Sequence, residues 1–216
     1  VFMSKLSKIL NKNDIIITDD GAHLTWTMQS FKVKKGQKLF SAFGNSPMGY
    51  ALPASIGASI VKNKKKIIWI DGDGSLQINS QELHTIDKLK LPIKIFILNN
   101  NGYGIIKQFQ ELYLGKRLEA SGKGVSNPSF KKVSQAFNIN YNLIRSHVEL
   151  NKIEKIIRTN KADIIEIMVK QNQKIVPKLQ FGNPLEDMSP LLSRKEFYDN
   201  MEIPIIDNNK KILEAN

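Results

Sequence analysis

DGDGSLQINSQE, residues 71–82, directly follows the apolar run KKIIWI (65–70) and fits two unrelated metal sites. Counted from Asp71, it places Asp71, Asp73, Ser75, Asn79 and Glu82 at positions 1, 3, 5, 9 and 12, nearly the spacing of a calcium loop between two helices. Two local features speak against calcium. The sixth position must turn sharply and is nearly always Gly, but here it is Leu76. Such a loop is also entered from an amphipathic helix, whereas KKIIWI has the pattern of a β-branched strand. Read as Asp71-Gly72-Asp73-Gly74-Ser75, the stretch is a glycine-rich turn at the carboxyl end of a strand, where open parallel sheets bind ligands. Gly72 and Gly74 let the backbone approach a bulky anion, and Ser75 adds a hydroxyl. Asn79 and Glu82 have the spacing of a capping pair, so a helix is expected to start at Asn79 and add its N-terminal dipole. Neutral donors alone leave a diphosphate short of positive charge, so Asp73 is expected to hold Mg²⁺ instead of touching phosphate.

Magnesium takes six oxygens and few protein ligands. A second oxygen donor is expected at the next strand end, where Asn99-Asn100-Asn101-Gly102 follows IKIFIL (93–98). Alone, an Asn-Gly cluster reads as a turn; beside GDGS it reads as a ligand pair. Around these two turns the chain alternates apolar runs with amphipathic stretches. DIIITDD (14–20), KKIIWI, IKIFIL, a run near 141–145 and ADIIEIMV (162–169) read as strands. Helices are expected at 48–62, 79–89, about 103–114, near 130–137 and near 149–159. Continuous apolar strands alternating with helices imply an α/β fold, a mainly parallel sheet with helices on both faces. The segment 121–129 reads as a Gly/Ser-rich connection. From Lys170 onward periodicity fades and four of the eight prolines occur. The expected organisation is a domain over 1–169 and an extended tail over 170–216, packed on the domain or a neighbouring subunit, with a short helix near 193–201.

Composition narrows the function classes. The chain has 216 residues and no cysteine, which excludes disulfides, thiolate metal sites and cysteine nucleophiles. No apolar run reaches the roughly 18–20 residues that span a bilayer, and the N-terminal VFMSKLSKILNKND is a short amphipathic helix pattern, not a secretory signal. A cytoplasmic protein is expected. The net charge of +12 raises nucleic-acid binding, but only Arg117, Arg145, Arg158 and Arg194 among 32 basic residues are Arg, and the lysines are scattered. A solvated lysine-rich surface is the better account, with neither nucleic acid nor membrane as partner.

Gly72-Asp73-Gly74 followed by 24 residues and Asn99-Asn100 resembles the signature of the thiamine-diphosphate-dependent enzymes. GDGSLQINSQELHTIDKLKLPIKIFILNNNGYGIIKQFQEL, PMGYALPASIGA and PLEDMSPLL are most similar to acetolactate synthase large subunits and their relatives. The resemblance implies the diphosphate-binding C-terminal domain of such an enzyme, with the Rossmann-like three-layer fold of that family. It implies thiamine diphosphate and Mg²⁺ as cofactors. The metal ligands it implies are Asp73, the side chain of Asn100 and the carbonyl of Gly102. Gly72, Gly74 and Ser75 would face the diphosphate, with Gly104 and Ile105 close by, and Met48 would prop the cofactor into its bent shape. His23, in GAHLTW, falls where the family has an active-site loop; a loop histidine satisfied by its surroundings fits equally. His84 and His147 read as surface residues.

The implied chemistry is decarboxylation of a 2-oxo acid such as pyruvate and transfer of the two-carbon unit to a second carbonyl compound. The family's catalytic glutamate lies on a pyrimidine-binding domain that this sequence does not include, so no catalytic residue is assigned here and the isolated chain is expected to be inactive. The missing domain would come from another chain or another part of the protein, and a homo-oligomer is expected. The middle domain that binds FAD in acetolactate synthases is missing too, which leaves FAD open. KQFQ puts Phe109 where many acetolactate synthases have Trp, which favours, as an alternative, a 2-oxo acid decarboxylase or a sugar-modifying carboligase of a surface-polysaccharide pathway. A dinucleotide-binding oxidoreductase would need a Gly-x-Gly-x-x-Gly turn that Thr18-Asp19-Asp20-Gly21-Ala22-His23 lacks. A non-catalytic partner subunit would have no need of Asp73 and Asn100.

Overall fold

A computed structural model describes residues 1–205. The chain divides into a unit of Val1–Lys174 and a second beginning at Ile175; the end of the 170–216 segment, from 206, lies outside the described residues. The first unit runs α1 (Phe2–Ile9), β1 (Ile15–Thr18), α2 (Ala22–Ser30), β2 (Lys38–Phe40), α3 (Ala51–Val61), β3 (Ile67–Gly72), α4 (Leu83–Leu89), β4 (Ile93–Asn99), α5 (Gly104–Tyr113), β5 (Glu119–Gly124), α6 (Phe130–Ala136), β6 (Asn140–Ile144), α7 (Lys152–Arg158) and β7 (Asp163–Met168).

Six strands form one sheet in the order β2-β1-β3-β4-β7-β6, every pair parallel. The central strands are apolar on both faces because both faces are covered. Alternate residues feed two cores. Ile15, Ile17, Trp69, Ile95 and Ile97 pack with Leu52 and Ile56 of α3, Leu83 and Ile86 of α4 and Phe130 of α6. Ile16, Ile68, Ile70, Phe96 and Ile165 pack with Met3 and Leu6 of α1, Phe31 after α2 and Ile153 and Ile157 of α7. This is the expected α/β three-layer arrangement.

The chain leaves β1 toward one edge through α2, on one face, and returns through α3, on the other, to β3 on the far side of β1. That reversal between β1 and β3 is a topological switch point, where the strand ends leave a crevice. At the opposite end of the sheet, Lys94 of β4 is fully buried. Its ammonium ion-pairs with Asp163 of β7 and donates to Thr159 Oγ1 at 2.6 Å and the Lys161 carbonyl at 2.7 Å. All three ammonium protons thus have partners, as an interior lysine requires.

The expected helix from Asn79 is corrected by the structure. Two short 3₁₀ turns, Ser75–Gln77 and Ser80–Glu82, precede the α-helix, which begins only at Leu83. The capping pair does not form because each member has another partner: Asn79 Nδ2 donates to the Gly49 carbonyl at 2.8 Å, and Glu82 accepts from Thr85 at 2.9 Å. The helix dipole expected behind GDGS is therefore absent there. The sequence also did not reveal α2, β2 and β5.

In the second unit, Lys178 and Ser189 form an antiparallel bridge through two backbone bonds of 2.8 Å. A helix, α8 (Arg194–Asn200), is capped by Ser193, whose hydroxyl accepts from Glu196 N. Arg194 makes a two-pronged bond with Asp187 at 2.8 and 3.1 Å.

Candidate functional site

All nine positions named from the sequence as cofactor or metal residues line one cavity at the carboxyl ends of the strands. These are Met48, Gly72, Asp73, Gly74, Ser75, Asn100, Gly102, Gly104 and Ile105. The wall is completed by residues of the first turns of α2 and α5 and by Asp20, Trp26, Leu98 and Tyr103. Neither helix has a side-chain N-cap bond, so their first N–H groups give the cavity the anion-binding character that α4 does not supply. Among the described residues no Lys or Arg lines the cavity. Its titratable lining groups are Asp20, His23 and Asp73, together with Tyr103.

Asp73 is 1% exposed. Its Oδ2 accepts from Gly102 N at 3.0 Å and from Asn127 Nδ2 at 2.6 Å. Burial raises its carboxyl above the ordinary 3.8, opposed by those two donors. One end of the Asn100 amide lies 2.8 Å from the Gly102 carbonyl oxygen and 3.3 Å from Asp73 Oδ1. With nitrogen at that end, the amide donates to both. With oxygen there, three oxygens from three residues converge, and a cation among them would hold that orientation. The donor set is all oxygen, as magnesium prefers, so these residues fit the ion.

The turn carrying Asn100 is braced from the neighbouring strands. Asn99 Oδ1 accepts from Asn101 N at 2.9 Å, and Asn99 Nδ2 donates to Glu166 of β7 at 2.6 Å. Tyr141 of β6 donates its hydroxyl to the other Glu166 oxygen. Gly102 takes φ +153°, and a Cβ there would lie 2.5 Å from the Ser121 carbonyl of β5, so only glycine lets β5 close over the turn.

His23 lies in the first turn of α2, not in a loop, and is 4% exposed. A Cβ at Gly72 would sit 2.9 Å from its Nδ1, so this glycine makes room for imidazole as well as for a ligand. Burial lowers the imidazole to about 3, against a bond to the Asp19 backbone, and it is neutral. His23 Nε2 lies 3.8 Å from Asp71 Oδ1 and has no hydrogen-bond partner, nor has Asp71 Oδ2. Burial pushes the Asp71 carboxyl well above 3.8, with the Asp19 charge adding to the effect. Ser75 turns its hydroxyl to Asp71 Oδ1, while Gly72 N donates to that oxygen at 2.7 Å. Asp71 therefore belongs to the frame of the turn, its Oδ1 engaged by Ser75 and Gly72 N.

Asp19 and Asn127 were not anticipated. Asp19, at the end of β1, accepts from Gly49 N at 2.9 Å and Ala51 N at 2.7 Å, holding the start of α3 and the Met48-Gly49 turn beside the cavity. Its signal was a second carboxylate in Asp19-Asp20. Asn127 lies 54 residues from Asp73, and nothing local marks it.

Residues 19–167 match the family model described as "Thiamine pyrophosphate enzyme, C-terminal TPP binding domain". Among curated relatives, the acetolactate synthase large subunit of Cyanidium caldarium is 35% identical over 187 residues, 86% of this chain and 32% of the relative. That of Pyropia yezoensis is 42% identical over 130 residues, 60% of this chain and 22% of the relative. That of Lactococcus lactis is 29% identical over 174 residues, 81% and 30% respectively. The chain thus spans about a third or less of the length of these relatives.

Proposed function

The chain belongs to the thiamine pyrophosphate enzyme family, as its C-terminal TPP-binding domain, and from that premise we propose that the cavity binds thiamine diphosphate through Mg²⁺ in an acetolactate-synthase-like enzyme. One observation carries the metal: among the described residues no cationic side chain lines the cavity, so a diphosphate there needs a cation from solution. Asp73, Asn100 and the Gly102 carbonyl would hold that ion through oxygen donors, as magnesium prefers. The first N–H groups of α2 and α5 bind phosphate oxygens directly. Gly72, Gly74 and Gly104 keep the walls low enough for this approach, and Ser75 fixes the turn through Asp71. Met48, Leu98 and Ile105 give the ring system an apolar surround and limit water.

When bound, thiamine diphosphate supplies the thiazolium carbon at which a 2-oxo acid such as pyruvate loses carbon dioxide and from which the two-carbon remainder passes to a second carbonyl compound. The glutamate that activates the aminopyrimidine would come from a pyrimidine-binding domain, in another chain or in another part of the protein. The decisive experiment is calorimetric titration of the chain with thiamine diphosphate, with and without Mg²⁺. Binding is expected only with the metal, and Asp73→Asn or Asn100→Ala should weaken it at least tenfold. Equal affinity without metal, or parental affinity in both variants, would refute the metal assignment.

A further inference from the structure

The carboxylate that faces the cation site is held by a second amide, remote in sequence. Asn127, between β5 and α6, donates to Asp73 Oδ2 at 2.6 Å, and Gly102 N donates to the same oxygen at 3.0 Å. Two donors on one oxygen commit its lone pairs and turn the other, Oδ1, toward Asn100 and the Gly102 carbonyl. The orientation of Asn127 is itself fixed. Gln77 Nε2 donates to Asn127 Oδ1 at 3.0 Å and also to the Asp73 carbonyl at 3.0 Å. With its oxygen engaged by Gln77, Asn127 can offer Asp73 only N–H. Gln77 ends the 3₁₀ turn that begins at Ser75, so the GDGS turn and Asn127 lock each other around one carboxylate.

We infer that Asn127, oriented by Gln77, is a positioning residue that makes Asp73 a one-oxygen ligand and thereby sets the preference of the site for Mg²⁺ over Ca²⁺. The inference rests on the proposed role of Asp73 as a cation ligand. Magnesium demands near-octahedral geometry at short distances, and a carboxylate gripping it with both oxygens distorts that geometry. Calcium is larger and accepts either one or both carboxylate oxygens in irregular arrays. Releasing Oδ2 lets Asp73 rotate, which harms the demanding ion and leaves the tolerant one nearly unaffected. Partners that orient a metal ligand in this way typically change affinity by 10–100-fold.

The test is titration of the full chain, in the presence of a fixed concentration of thiamine diphosphate, by Mg²⁺ and separately by Ca²⁺, in the parent, Asn127→Ala, Gln77→Ala and Asp73→Asn. Asn127→Ala is expected to weaken Mg²⁺ about tenfold and Ca²⁺ less than about threefold. Gln77→Ala should shift the preference in the same direction by a smaller factor, and it keeps the inference testable should Asn127→Ala not fold. Unchanged Mg²⁺ affinity, or an equal loss for both ions, would overturn the positioning role while leaving Asp73 as ligand. Parental binding by Asp73→Asn would overturn the ligand assignment and the inference with it. A structural defect alone would lower the unfolding temperature without moving the ratio of the two affinities.

Discussion

His23 has no exposed side, no partner on Nε2 and an imidazole lowered to about 3, against an ordinary 6.5. Folding therefore favours its neutral form. The sign follows from linkage: the unfolded chain takes up a proton on His23 below about 6.5, and the folded chain does so only near 3. The stability this represents is complete above the unfolded value and is lost as pH falls through the interval to the folded one. Its size is on the order of 5 kcal/mol. His23→Gln should therefore flatten the dependence of stability on pH across that interval, whatever it does to stability at neutral pH. Urea unfolding of the cofactor-free chain at several pH values measures this, and an unaltered slope in His23→Gln would place the acid sensitivity elsewhere.

The elements divide by how openly their physics is written in local sequence. β1, β3, β4 and β7 were legible because a strand buried on both faces must be apolar throughout. β2 was not, since KLF is three residues long and lies at the sheet edge. AHLTWTMQS gave no amphipathic signal for α2; it buries Ala22, His23 and Thr27 and turns its first residues to the cavity. EASGKG, which forms β5, reads as flexible because glycine and serine there serve close packing over Gly102. The two turns that line the cavity were legible from their own residues, while Asn127 and Glu166 act by contact across the fold. Gly102→Ala tests the packing of the turn against β5: positive φ and a 2.5 Å approach to backbone should cost about 2–4 kcal/mol, read as a lowered denaturation midpoint. At the far end of β4, Lys94→Met leaves Asp163 buried without its cation, for a loss of about 3–5 kcal/mol. Adding Asp163→Leu should recover much of that loss, and no recovery would show that the pair does more than balance its own charge.

Across the whole molecule, 32 basic against 20 acidic residues give a net charge of +12, while among the described residues the lining of the candidate cavity carries carboxylates and no Lys or Arg. With no described basic side chain in its lining, the proposed anion recognition would fall to helix N-termini and a metal held by oxygen ligands. Among the described residues no helix is long and apolar enough to cross a membrane. The same inventory bears on catalysis. Asp73 faces the proposed metal, His23 is neutral and buried, and Asp20 is tied by Gly21 N–H and Ser46, which leaves no lining carboxylate poised to activate an aminopyrimidine. Binding and chemistry should therefore separate in this chain. Saturated with thiamine diphosphate and Mg²⁺, it should exchange the thiazolium proton for deuterium at about the rate of free cofactor. A positioned general acid–base group typically contributes 10²–10⁴-fold, so nuclear magnetic resonance of quenched samples resolves the two cases easily. An exchange rate near that of free cofactor, together with metal-dependent binding, assigns activation to residues beyond these 216. A hundredfold acceleration by this chain would mean that one of Asp20, His23 or Tyr103 is the activating group, and single substitutions of the three would then identify it.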